Sequence, residues 1–293
     1  MEFGAKSLRH VPSTPGGSSC GVDVNGSVAE SYSDEAANSA GSLQCVLVAA
    51  GPFHDIDFAR LEILKLLAED ERIRVRVFED FENLVALENA DVLMSYTCNL
   101  MPSLEAQQRL RDFVRRGGQF FALHGSNSVL EFLDDGRVAT PDSMPVFSEL
   151  LGSRFLAHPP ISEYTVCAAK PEHPLIKGLP KSFTTKDEQY LVAMSADVEV
   201  LLDTHYNGRD SLEGFVDDDL PEARHPVFYL RRLGEGCVLY LTLGHCRGHY
   251  DMQPLLDWWP EVDRCGWEQP IIYELLRRGI RWLCANSVAQ KTN

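Results

Sequence analysis

The spacing of hydrophobic and polar positions changes along the chain. Cys45-Val46-Leu47-Val48-Ala49-Ala50 is an unbroken apolar run closed by Gly51, the pattern of a parallel strand buried on both faces. Pro52-Phe53-His54-Asp55 follows, then a helix with Phe58, Leu61, Leu64 and Leu67 on its apolar side. Ile73 to Phe78 alternates apolar and charged residues, as an exposed strand does. Asp91 to Tyr96 is a third strand, ended by Thr97-Cys98-Asn99. Ser103 caps a helix running to about Arg116, with Glu105 in the first turn, where the helix dipole favours a carboxylate. Gly117-Gly118 ends that helix, and Gln119 to Leu123 forms a strand that stops at His124. Strands and helices in alternation predict an α/β protein built on a doubly wound parallel sheet, with helices on both faces.

The second half is less periodic and predicts extra strands. Val146 to Leu151 reads as a short helix and Phe155 to Pro160 as a loop carrying His158. Tyr164 to Ala168 and Val198 to Asp203 read as strands. His225 to Leu230 and Cys237 to Leu243 read as a strand pair around Gly234-Glu235-Gly236. A last helix, from about Gln269 to Cys284, carries Ile272, Leu275, Leu276, Ile280 and Leu283 as its apolar stripe.

Residues 1–43 are rich in Gly, Ser, Asn and Ala and read as a disordered tail, because they cannot bury enough surface to offset their ordering entropy. The expected organisation is one domain over 44–285 and a short C-terminal tail over 286–293. A net charge of -16 argues against nucleic acid and anionic membranes as partners, since phosphate binding needs clustered Lys and Arg. None of the 8 cysteines forms a CxxC pair, and no apolar run is long enough to span a bilayer. Reduced thiols and a cytoplasmic location are expected. The oligomeric state is not legible.

Chemistry enters at the strand ends. Three runs of buried-strand type each end within a few residues of a histidine: His54, His124 and His245. In a doubly wound sheet such ends lie on one rim, where ligands bind. Residues 122–126 also have the small-x-nucleophile-x-small layout of a nucleophile elbow, with His124 in the nucleophile's place. Three histidines suit a catalytic metal site with an open position, and imidazole suits neutral-pH acid/base work without a metal. Asp187 or Glu188 is placed to add a carboxylate. A divalent transition metal is expected, zinc first, because Mg²⁺ prefers oxygen ligands. No nucleotide cofactor is indicated. His245 and His249 lack the helix and the Glu of the metalloprotease motif. Cys98 reads as a structural thiol, Trp258, Trp259 and Trp267 as core before sugar-stacking groups, and Asp217 to Asp219 as a solvated loop.

Five motifs occur in order: Gly51-x-x-His54-Asp55, Gly117-Gly118-x-Phe120-x-x-Leu123-His124-Gly125, Asp187-Glu188-x-Tyr190, His225-Pro226-Val227, and Gly236-x-Val238-x-Tyr240-x-x-Leu243-Gly244-His245. Together, over about 44–285, they resemble the ThuA-like (trehalose-utilisation type) family. The resemblance implies a class I glutamine-amidotransferase-like fold, a flavodoxin-like sheet with additions, and a link to carbohydrate metabolism. It does not extend to amidotransferase activity, because position 124 offers no thiolate. Departures at Phe121-Ala122, Phe228 and Cys246-Arg247-Gly248-His249 bear on substrate more than on fold. The expected function is an enzyme acting on a sugar or oxidised sugar derivative. His124 and Glu188 would be its catalytic residues, His54, His124 and His245 its metal ligands, and Asp55, Tyr96 and Asp187 its substrate contacts. A non-catalytic carbohydrate-binding or regulatory protein on the same fold is the alternative.

Overall fold

The structure, a computed structural model, describes residues 41–292. The expected N-terminal tail therefore lies, up to residue 40, outside the described residues. The first half reads β1 (Leu43–Ala50), α1 (Ile56–Leu67), β2 (Ile73–Phe78), α2 (Leu84–Glu88), β3 (Val92–Thr97), α3 (Leu104–Arg115) and β4 (Gln119–Leu123). After a one-turn 3₁₀ helix over His124–Asn127 come β5 (Glu131–Phe132), β6 (Val138–Ala139), α4 (Pro145–Leu151), β7 (Ser153–Ala157), β8 (Ser162–Ala168) and β9 (Ser182–Asp187). The chain closes with β10 (Leu191–Met194), β11 (Glu199–Tyr206), β12 (Ala223–Leu233), β13 (Gly236–Leu241) and α5 (Pro270–Thr292).

Nine strands form one sheet in the order β2-β1-β3-β4-β13-β12-β11-β8-β9. The first five are parallel and follow the flavodoxin-like order, with β13 as the fifth strand. The remaining four run antiparallel to their neighbours. Side-chain alternation along the central strands splits the core between the two faces. Cys45, Leu47, Ala49 and Phe121 pack on one face with α1 and α5 residues such as Ile63, Ile272 and Leu276. Val46, Val48 and Phe120 pack on the other with α3 and α4 residues such as Leu110 and Phe147. Each such side chain contributes about 1.5–3 kcal/mol, so both faces hold the sheet flat against its helices and fix where each strand ends.

Three local expectations are corrected. Leu61 is 53% exposed, and α1 buries Ala59, Ile63, Leu66 and Leu67 instead. A strict three-residue spacing falls about 60° short of a full turn at each step, so it winds off any single face. Residues 153–157 are strand β7, paired with β10, not loop. The last helix does not stop near Cys284 but continues to Thr292, so residues 286–292 of the expected tail are helical. Its final turns are tied down by polar contacts, which leave no apolar stripe: Lys291 pairs with Asp91 at 2.8 Å and Gln290 donates to the Glu235 carbonyl at 2.5 Å.

Candidate metal centre

Each histidine is placed by the end of a parallel strand. His54 follows β1 through Gly51, where φ is 113° and a Cβ would sit 2.0 Å from the Cys98 carbonyl oxygen; only glycine permits that crossing. His124 is the first residue after β4 and is held at φ 45°, the strained turn expected at an elbow. His245 follows β13, which pairs in parallel with β4. Ring centroids of His54 lie 4.8 Å from His124 and 4.9 Å from His245, and those of His124 and His245 lie 5.6 Å apart.

Glu188 comes from the opposite end of the sheet. It follows β9, four strands beyond β13 in the sheet order, yet Glu188 Oε1 lies 3.0 Å from His245 Nδ1 and Oε2 lies 3.4 Å from His124 Nε2. The antiparallel strands must therefore curl over the rim, as twisted sheets do. Asp187 pins that curl. Its Oδ2 accepts from the Gly244 and Gly266 amides at 2.9 and 3.1 Å, and its Oδ1 from the Glu188 and His245 amides at 2.8 and 3.1 Å.

The four residues His54, His124, Glu188 and His245 are buried, and one ligand atom from each lies within 4.8 Å of all the others. The hydrogen bonds fix the tautomers. His124 Nδ1 lies 2.8 Å from the Thr242 carbonyl and His54 Nδ1 lies 3.3 Å from the Pro52 carbonyl. A carbonyl only accepts, so both Nδ1 atoms carry protons and both Nε2 atoms of the neutral rings present lone pairs. Those Nε2 atoms face each other at 2.9 Å. His245 has no hydrogen-bond partner for either ring nitrogen among the described residues; its approach to Glu188 is close but off the hydrogen-bond direction. Such a set is balanced either by a proton on His124 Nε2, donated to His54 and offset by Glu188, or by a cation bound between the donors. Buried donors oriented by backbone carbonyls are how protein metal ligands are held. The residues present therefore fit a metal ion.

The ionisation tendencies differ among the three rings. Burial lowers His54 well below its ordinary value, reinforced by His124 and His245. Burial also lowers His245, against the pull of Glu188. For His124 burial opposes charging, but the hydrogen bond and charge of Glu188, with Asp187 behind, outweigh it and raise the pKa. Burial would raise Glu188, yet His158, His245 and His124 hold it well below the carboxylate range. Asp187 is raised by burial, opposed by the two histidines and its amide donors.

A cavity of about 120 Å³ opens beside this cluster. His54, Glu188, His158, Arg247, Ser128 and Tyr190 supply its polar wall, and Phe53, Phe132, Phe155 and Phe215 its aromatic wall. The Tyr190 hydroxyl is 3.3 Å from His124 Nε2, and burial raises its pKa well above the usual phenol value, with Glu188 adding to it. His158 Nε2 is 3.5 Å from Glu188 Oε1, and its Nδ1 donates to the Pro159 carbonyl at 2.7 Å. Sequence reading assigned no role to His158, Arg247 or the phenylalanines. The Asp187-Glu188-x-Tyr190 motif was the one signal pointing at Tyr190.

The residues expected to contact substrate have their polar atoms engaged elsewhere. Asp55 caps α1 and pairs with Arg264 at 2.9 Å, the Tyr96 hydroxyl donates to the Gly244 carbonyl at 2.8 Å, and Asp187 holds four amides. None of the three lines the cavity. His249 stacks on Trp258 with centroids 4.0 Å apart, outside the cluster. Trp267 is core, Trp258 is half exposed, and burial pushes the Cys98 thiol up.

A family model described as trehalose utilisation, ThuA, matches residues 46–258, well over half of the chain. Comparison with curated proteins gives no match. Among solved structures, a ThuA-like protein of Parabacteroides merdae is 16% identical with a TM-score of 0.56, covering 83% of this chain and 90% of that one. A ThuA-like protein of Bacteroides uniformis is 18% identical with a TM-score of 0.57, covering 82% and 91% respectively. At these identities the likeness bears on fold alone.

Proposed function

The chain belongs to the ThuA family, and from that premise we propose that it is an enzyme of carbohydrate metabolism whose site binds a divalent transition metal through His54, His124, Glu188 and His245. A sugar or oxidised sugar would occupy the adjoining cavity, and a role in trehalose utilisation follows the family's description. The observation that carries the reading is the convergence of imidazole lone pairs on one carboxylate: two Nε2 atoms face each other at 2.9 Å, and both His245 nitrogens lack a hydrogen-bond partner among the described residues.

A bound ion would polarise a substrate oxygen or activate water. Zinc suits the three nitrogen donors, as do neighbouring first-row ions. The chain's own groups divide the remaining work. Thr242 and Pro52 carbonyls orient two of the rings. The Tyr190 hydroxyl holds a proton at the cavity wall. His158 Nδ1 is turned to the Pro159 carbonyl, so its Nε2, on the same wall and 3.5 Å from Glu188, is the ring atom that would face a substrate hydroxyl. The phenylalanines exclude water and pack the apolar face of a sugar ring.

The test is elemental analysis of protein purified without chelator or affinity-tag metal, followed by a screen of oxidised and unoxidised disaccharides and monosaccharides. Near-stoichiometric metal with turnover supports the reading. Less than roughly a tenth of an equivalent, unchanged by zinc, manganese or nickel at about pH 7.5, removes the metal from it. A sugar that binds and is recovered unchanged makes the protein a carbohydrate-binding one.

A further inference from the structure

Among the described residues lining the cavity, Arg247 is the one arginine or lysine and Glu188 the one carboxylate. The guanidinium is held from behind but not gripped. Its Nε donates to the Phe53 carbonyl at 3.2 Å, and its plane lies over the Trp259 ring, with Cζ 4.9 Å from the centroid. Its two terminal amino groups reach carboxylates only at ion-pair distance: Nη2 is 3.8 Å from Glu188 and Nη1 is 4.0 Å from Asp263. Neither donates a hydrogen bond among the described residues. Two arginines show the gripped arrangement by contrast: Arg264 reaches Asp55 at 2.9 Å and Arg224 reaches Asp203 at 2.6 Å. A side chain only 12% exposed, whose two terminal groups beside a cavity donate to no group of the described residues, presents a fork suited to paired oxygens.

Charge points to which oxygens. Glu188 is turned toward the donor set, with Oε1 3.0 Å from His245 Nδ1 and Oε2 3.4 Å from His124 Nε2. A divalent ion among these donors would leave the cavity lining net positive, in a chain whose formal charge is -16. We infer that the ligand of this cavity is a carbohydrate bearing a carboxylate, an aldonate or uronate, with Arg247 binding that carboxylate bidentately and the phenylalanines packing the sugar carbons. The inference rests on the reading of the cavity as a carbohydrate site and names the class of sugar. A volume of about 120 Å³ suits a single ring or a short open chain, well below the usual pocket for a drug-sized ligand.

The probes are D-glucuronate, D-gluconate, D-glucose and D-glucose 6-phosphate, titrated calorimetrically into the metal-loaded full chain and its variants. A carboxylate sugar should bind at least about tenfold tighter than glucose. Arg247→Met should remove that preference, bringing the ratio of acid to glucose affinity to about one, in protein that still carries its metal. Arg247→Lys should keep part of it, as a point charge without the fork. Equal binding of glucose and both acids, or a preference that survives Arg247→Met, overturns the carboxylate assignment while leaving the carbohydrate reading intact. Tightest binding of the phosphate sugar likewise overturns it. Metal-loaded protein that binds none of the four overturns both. An Arg247→Met protein that has lost its metal or its fold hands the decision to Arg247→Lys and to the wild-type preference.

Discussion

The parallel and antiparallel parts of the sheet divide the site between them. β1, β4 and β13 each deliver one imidazole at a strand end, so their spacing follows from strand register and cannot shift without moving the core. The antiparallel part delivers Glu188 from the end of β9; around it Tyr190, His158 and Phe215 come from connections and Phe155 from β7 in a separate two-stranded sheet. Lone-pair donors thus sit on the rigid scaffold and the carboxylate on the added strands, while the cavity wall draws on both, with Phe53, Ser128 and Arg247 supplied by the parallel half. Metal binding and sugar choice should therefore be separable by mutation.

The largest effect tests the scaffold. Replacing His124 or His245 by Ala should reduce bound metal from near one equivalent to under about a tenth, measured by elemental analysis, because a four-donor site loses one of its three nitrogen ligands. Full retention would break the proposed division.

Asp187 joins the two parts, and Asp187→Ala strips four amides of their acceptor. That should destabilise the fold by on the order of 3 kcal/mol, a fall in melting temperature of about 6–12 °C. A change under about 2 °C would mean the curl is held by something else.

Phe155→Ala and Phe215→Ala should each weaken sugar binding by about tenfold with metal content unchanged. Loss of metal in either variant would show that cavity and cluster are not separable.

A pH test addresses β12. Burial holds His225 below its ordinary pKa, and its Nδ1 accepts the Val192 amide proton at 3.1 Å, which requires the lone pair. The folded state keeps this ring neutral while the unfolded chain takes up a proton near pH 6.5. Its contribution is complete above that pH and is lost as pH falls below it. His225→Asn, which keeps an acceptor, should lose about 1 kcal/mol less than wild type between pH 7.5 and 5.5, by denaturant melts. The smallest effect is that of Leu61→Lys, within about 0.5 kcal/mol, since the side chain is exposed.

The same division explains what the sequence disclosed. Buried parallel strands are unbroken apolar runs, so β1, β3, β4 and β13 were legible and three histidines followed from their ends. Glu188 was legible only as an alternative to Asp187, because the curl that brings β9 to the rim depends on pairings far apart in sequence. β9 itself was missed, since Ser182-Phe183-Thr184-Thr185-Lys186-Asp187 has one large apolar residue. Residues 155–157 looked like loop because β7 alternates weakly, whereas His158, one residue past its end, lies in a loop as expected. Asp55, Tyr96 and Asp187 were assigned to substrate because proximity in sequence says nothing about which backbone amides or carbonyls a polar atom will meet.

The backbone at His124 has a consequence for variation. Phe53, Asn99, His124 and Cys265 all have positive φ, between 44° and 70°, and for residues other than Gly and Asn that conformation is strained by about 1 kcal/mol or more. At position 124 Gly or Asn would fold more comfortably than His. A library selected for thermal tolerance alone should drift there toward Gly and Asn, while one selected for turnover should stay fixed at His. Imidazole at this turn thus marks a place where chemistry and folding pull a sequence in opposite directions.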